Sequence, residues 1–249
     1  MSAKKLNLRE DLHIHSTFSD GADSIENNIR MAISRGLTHI CCVDHVRRDT
    51  NWVPNYVDQI HQFRRKYGDQ IKISIGIEAK FINAAGDLDL PDNIEGVEYI
   101  FAADHQFPYG IDIYNPRQIK ELLDEGLVQQ EVLFRHLIRA TIGAMWKYSE
   151  QATVVIAHLF SILPKVGLLE QDIHIELKAA LARAAIETGS QIEISERWQC
   201  PQLESAHFLW EMGVEMPVST DSHKKETIGE YQFVRTIATQ LPLLSIEID

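Results

Sequence analysis

The chain has 249 residues, with 24 Lys+Arg against 36 Asp+Glu, a formal charge of −12, 45% hydrophobic residues and 24% charged, the proportions of a soluble globular domain. The acid excess argues against sequence-independent binding to duplex nucleic acid, which needs a basic stripe to displace the phosphate counterions. Cys41, Cys42 and Cys200 form no CxxC and leave an odd count, so neither a disulfide framework nor a zinc ribbon is expected; the start lacks the apolar run of a secretory signal, no apolar stretch approaches ~18 residues, and the expected setting is the cytoplasm, away from membranes.

In chain order, short apolar runs predict strands over residues 8–15, 38–44, 71–79, 97–103, 153–157, 191–195 and 215–220. Helical patterns fall between them at 24–34, 56–67, within 117–149, and at 171–187, 202–212 and 227–240. Glycines after Arg35, Tyr67, Thr188 and Met212 mark helix C-termini. No linker, repeat or low-complexity tract divides the chain, which reads as one domain over residues 1–249. Alternating β and α segments predict an α/β fold with a parallel sheet, and seven units predict a barrel or a strongly wound open sheet. The link between residues 103 and 153 is the longest and is expected to carry an extra helix or a lid.

The eleven histidines are placed with purpose against those strands. Six of the seven runs end in a metal-ligand type: His13 and His15, Asp44-His45, Glu78, Asp104-His105, His158, and Asp221 with His223. In an α/β barrel the C-terminal strand ends share one mouth, where such enzymes keep their active sites. Strand alternation puts His13 and His15 on one face and Ile14 on the other. Asp20 follows in HSTFSDG, where Gly21 allows the chain to double back toward the same mouth. Imidazoles and carboxylates without a cysteine ligand suit two or three zinc, manganese or iron ions and disfavour a closed structural zinc site. Arg197, just past the one strand end without a ligand, is the candidate for a bidentate phosphate contact, and Lys224, next to His223, comes after it. Arg47, Arg48 and Lys80 read as solvated, Cys41 and Cys42 as core, and His39, His61, His136, His174 and His207 as ordinary structure. Trp52, Trp198 and Phe107 fall in mouth loops, where they either pack locally or meet a leaving group.

Taken together, DLHIHSTFSDG, VDH, GIE, His105, AH at 157–158 and STDSH resemble the ordered motifs of the PHP (polymerase and histidinol phosphatase) metallophosphoesterases. The resemblance runs from Asp11 to His223. It implies a distorted (β/α)7 TIM-like barrel with up to three metals. By the same resemblance His13, His15, Glu78 and Asp221 would hold one ion. Glu78 would bridge to a second on His105 and His158, and Asp20, His45 and His223 would hold a third. Three ligand carboxylates offset only half the charge of three divalent ions, so the mouth would be positive in an acidic protein and would attract a phosphate ester. The implied activity is hydrolysis of a small phosphomonoester, histidinol phosphate or a related metabolite, by a hydroxide activated between the ions. Glu78, Asp221, His223 and Arg197 are the expected catalytic side chains. Asp104 stands where a small or apolar residue is expected in the histidinol-phosphatase members. The competing readings are a phosphodiesterase or nuclease on short nucleotides, for which no basic groove is evident, and a metal-binding barrel without turnover, which the presence of all nine ligand types disfavours.

Overall fold

The computed structural model describes residues 5–244. Its first half runs β1 (Glu10–Ile14), α1 (Ile25–Ser34), β2 (His39–His45), α2 (Val53–Tyr67), β3 (Lys72–Lys80), β4 (Tyr99–Ala103), β5 (Phe107–Tyr109), β6 (Asp112–Tyr114) and α3 (Pro116–Asp124). It continues through α4 (Gln130–Tyr148), β7 (Thr153–Ile156), α5 (Ile175–Thr188), β8 (Gln191–Ile192), β9 (Ile194–Ser195), α6 (Leu203–Glu211), β10 (Val218–Ser219) and α7 (Phe233–Leu244). Three short 3-10 turns lie between these elements. The strands β1, β2, β3, β4, β7 and β8 form one parallel sheet in that order, and β9 pairs in parallel with β10. Bridges from Gln191 to Glu215 and from Ile14 to Ser222 join the ends, so the sheet curls into a distorted seven-stranded barrel. Helices cover its outside and bury a continuous apolar layer, while a small inner core of Leu12, Cys41, Val43, Phe101, Ala103, Val155 and Ala157 fills the barrel below the mouth.

Local chemistry sets the boundaries. Ser24 caps α1 by accepting the Asn27 N–H, and Asn115 with Gln118 forms a capping box at the start of α3. The helical pattern within residues 117–149 is two helices rather than one, with Gly126 at φ +70 between them. The long link therefore carries α3 and the antiparallel β5–β6 hairpin. The sixth expected strand is interrupted at Glu193, whose N–H donates to the Ile156 carbonyl. The seventh shrinks to Val218–Ser219 beside Pro217, which has no N–H for a ladder. Gly36, Gly189 and Gly213 adopt the left-handed conformation that stops a helix, but Gly68 stays helical with φ −61.

One loop expectation is corrected and one open alternative is decided. Phe107 is fully buried in β5 instead of lying at the mouth, because the hairpin folds its apolar side onto α4. Trp52 packs locally, with ring centroids 5.3 Å from Phe18 and 5.5 Å from Tyr56. Cys41 and Cys42 are buried core thiols. No helix among the described residues is long and apolar enough to cross a membrane.

Candidate metal centre

The mouth of the barrel is built from strand ends. On β1, Asp11 lies opposite Ile40 while Ile14 lies opposite Cys42. Three steps on one strand against two on the other make a bulge. The extra residue lets Leu12 join the inner core while Ile14 enters the outer layer, and both His13 and His15 face Glu78. That carboxylate, at the end of β3, is the hub. Its Oε2 lies 3.6 Å from His13 Nε2, 3.6 Å from His15 Nε2 and 2.7 Å from His45 Nδ1. Its Oε1 lies 3.2 Å from both His105 Nε2 and His158 Nε2. Asp221 Oδ1 stands 3.0 Å from His15 Nε2. On the rim, Asp20 reaches His223 Nε2 at 3.2 Å, His45 Nε2 at 3.5 Å and His15 Nδ1 at 3.7 Å.

All nine side chains singled out in the sequence thus come together. Ligand atoms within 4.8 Å of one another form three overlapping groups: His13, His15 and Glu78; His45, Glu78 and His105; and His15, Asp20, His45 and His223. Burial is graded, with His13, His15, Glu78 and His158 inaccessible and Asp20 half exposed. His158 and Asp221 hold left-handed backbone, at φ +33 and +50, a conformation that costs a non-glycine residue about 1–3 kcal/mol.

The donor set fits cations. His13 Nε2, both ring nitrogens of His15, Glu78 Oε2 and Asp221 Oδ1 are buried and make no properly directed hydrogen bond. Buried polar atoms are otherwise nearly always satisfied. Electrostatics point the same way. Burial would raise the Glu78 carboxyl, but the neighbouring His105 and His13 imidazoles hold it well below the carboxylate range. Burial would lower His158, but Asp104 and Glu78 carry it up to about 10. Burial likewise opposes the charge on His13, and Glu193, Glu78 and Asp221 outweigh it. The anions draw positive charge into the cluster, and divalent ions can replace the protons.

Three supporting carboxylates stand behind the cluster. Asp44, next to His45, accepts from the Ser16 and Ser19 N–H and hydroxyl groups and so pins the loop that presents Asp20. Asp104 pairs with His158 Nδ1 at 3.2 Å and accepts from the Ser161 hydroxyl at 2.7 Å. Glu193 was not anticipated. Fully buried at the break between β8 and β9, it pairs with His13 Nδ1 at 2.9 Å and accepts from the His158 N–H and the Ser219 hydroxyl. The available signal was an acidic residue inside the apolar strand QIEIS.

Around the cluster lie two open cavities. One of about 550 Å3 is bordered by Asp20, His45, Glu78, His105, Lys80 and Arg47. Lys80 and Arg47, read as solvated, therefore line the mouth; Arg48 is exposed and gives its backbone N–H to Asp89. The other, about 970 Å3, opens beside Asp221 and His223 and includes Arg197 and Lys224. Arg197 Nη1 donates to the Asp221 carbonyl at 3.2 Å and contacts His223 Nδ1 at 2.5 Å. Trp198 Nε1 donates to Asp221 Oδ2 at 2.7 Å, and its ring centroid is 5.4 Å from that of His158. Of the histidines read as structural, His39 contacts Ser74 Oγ at 2.9 Å, His136 accepts the Gly110 N–H, and His174 caps α5.

Known proteins match this architecture. A histidinol phosphate phosphatase from Lactococcus lactis, solved with zinc, L-histidinol and phosphate, superposes with a TM-score of 0.66 over 93% of each chain at 19% identity. A histidinol phosphatase structure from Listeria monocytogenes gives 0.61 over 89% of this chain and 97% of that one, at 15% identity. In sequence, a probable phosphatase from Aliivibrio fischeri is 27% identical over 103 residues, and the Lactococcus lactis histidinol-phosphatase is 32% identical over 77. These alignments span 42% and 28% of the two relatives, less than half of either. The sequence pattern of the PHP domain matches residues 11–196, most of the chain and seven of the nine clustered side chains, and the chain belongs to the PHP domain family.

Proposed function

We propose that the protein is a metal-dependent phosphoesterase that hydrolyses a small phosphomonoester, with residues 1–249 working as one unit. The observation that carries this reading is the set of five buried, unsatisfied ligand atoms gathered around Glu78 at the mouth of the barrel. Histidinol phosphate is one candidate substrate, on the strength of the relatives.

Bound zinc, manganese or iron would supply Lewis acidity and a water of lowered pKa. His13, His15, Glu78 and Asp221 would hold one ion, Glu78, His105 and His158 a second, and Asp20, His45 and His223 a third. Glu193 and Asp104 engage the Nδ1 atoms of His13 and His158, so with one proton held on each Nδ1 the Nε2 atoms, which face Glu78, would be the ones offered to an ion. Arg197 would neutralise the non-bridging phosphoryl oxygens, and Lys224 lines the same cavity. Three buried thiols without a disulfide agree with a reducing, cytoplasmic setting.

The test is phosphate release from a panel of phosphorylated metabolites with zinc, manganese, iron and magnesium added separately, beside elemental analysis of the purified protein. Release with at least one transition metal and two or three bound ions per chain is expected. Fewer than about one ion per chain after reconstitution, with no release, overturns the reading.

A further inference from the structure

A phosphoryl group at the cluster has two spaces next to it. The smaller is lined by Asp20, His45, Glu78 and His105 and so belongs to the reacting group. The larger, about 970 Å3, borders the cluster at Asp221 and His223 and runs away toward α7. Its size suits the rest of a metabolite.

The charges of this second space do not cancel. Its lining includes the cations Arg35, Arg197, Lys224 and Arg235 and the acids Glu196, Glu230 and Asp221, the last already engaged by His15 and Trp198 in the cluster. Both Glu196 oxygens are taken by the Phe233 and Val234 N–H groups at the start of α7, at 3.0 and 2.9 Å. Glu230 is paired with Arg35 at 2.8 Å, and that guanidinium also donates to the Ile228 and Glu226 carbonyls. The acids are thereby occupied, together with one cation. Arg197 lies at the border with His223. Lys224 and Arg235 have no carboxylate partner among the described residues, and both are exposed to the cavity. Unpaired cations in a concave site raise the local concentration of anions and repel amines.

We infer that the substrate is a phosphomonoester whose alcohol carries a second anionic group, a carboxylate or another phosphate, bound by Lys224 and Arg235 in this cavity. This deepens the phosphoesterase reading and rests on it. Histidinol phosphate, whose leaving group bears an ammonium, is then a poor member of the substrate class.

The experiment compares phenyl phosphate with its para-carboxy, para-phosphonooxy and para-aminomethyl derivatives, using the metal-loaded full chain. The two anionic derivatives are expected to exceed phenyl phosphate in kcat/KM by about tenfold, the scale of one partly exposed charge-assisted contact, and the aminomethyl derivative to fall below it. The better of the two anions names the group. Arg235→Gln and Lys224→Gln should each shrink that preference ratio, which cancels any general loss of activity. A readout without turnover is calorimetric binding of para-hydroxybenzoate, expected for the wild type and lost in Arg235→Glu, with para-hydroxybenzylamine unbound by the wild type. Phosphate release at equal kcat/KM across the series, or a ratio untouched in both Gln variants, overturns the inference while sparing the phosphoesterase reading. Release from none of the four, nor from the metabolite panel, overturns both.

Discussion

At the scale of single residues, Glu193 and Arg197 illustrate two ways of serving the same centre. Glu193 touches two residues of the cluster, pairing with the His13 ring and accepting the His158 backbone N–H, and holds its place through Ser219. Groups that orient a metal-bound histidine from behind typically change metal affinity by about 10–100-fold when altered. Glu193→Gln, which keeps shape and loses charge, should weaken metal retention in chelator competition by about that factor; wild-type retention would make Glu193 a packing residue. Arg197 instead sits in front, half exposed beside His223. Arg197→Ala should leave metal content unchanged and lower kcat/KM by roughly 100-fold, since a bidentate charged contact that strengthens in the transition state is worth about 3 kcal/mol. Arg197→Lys should recover only part, because a point charge lacks the planar fork. Wild-type kcat/KM in Arg197→Ala would remove this arginine from the phosphoryl site.

Among the elements, the loop after β1 shows how a short segment delivers a ligand. Asp44 gathers the Ser16 and Ser19 donors, and the Gly21 N–H closes a turn onto the Ser16 carbonyl at 2.9 Å. The need for glycine at 21 is one of space rather than of a left-handed φ: a Cβ there would lie 2.6 Å from the His15 carbonyl and the Ser16 nitrogen. Gly21→Ala must therefore displace the loop that carries Asp20, at a cost of about 1–3 kcal/mol typical of overpacking. The expected result is a folded protein with about one metal fewer per chain, the rim ion that Asp20, His45 and His223 would hold. Elemental analysis beside circular dichroism reads both quantities, and full metal content would refute the loop's role. The bulge in β1 is the companion device, since it turns Leu12 into the inner core without removing His13 from the cluster.

For the whole molecule, the decisive feature is closure of the barrel, because β10 and β1 are more than two hundred residues apart and complete the mouth with Asp221 and His223. Asp11, fully buried, supplies much of that closure by accepting from the Thr220 N–H and hydroxyl and from the Gly229 N–H. Asp11→Ala strands these donors, at about 1–3 kcal/mol for each group left buried and unsatisfied, and should lower the denaturation midpoint and loosen Asp221. Unchanged stability would show that the outer apolar layer alone closes the barrel. The local sequence already determined the β/α alternation, because it is written in apolar periodicity, and the clustered side chains, because eight of them stand at or just past the ends of apolar runs and Asp20 stands in the glycine turn that follows the first run. It could not determine Glu193 as their support, since an acid inside a strand reads as a flaw until the residues it touches, 35 and 180 positions away, are folded onto it. Nor could it separate one long helical pattern from α3 and α4, or show that Phe107 is core, or that Lys224 and Arg235 share a cavity. Those outcomes depend on which distant surfaces meet, and burial and electrostatic pairing are properties of that meeting rather than of any segment alone.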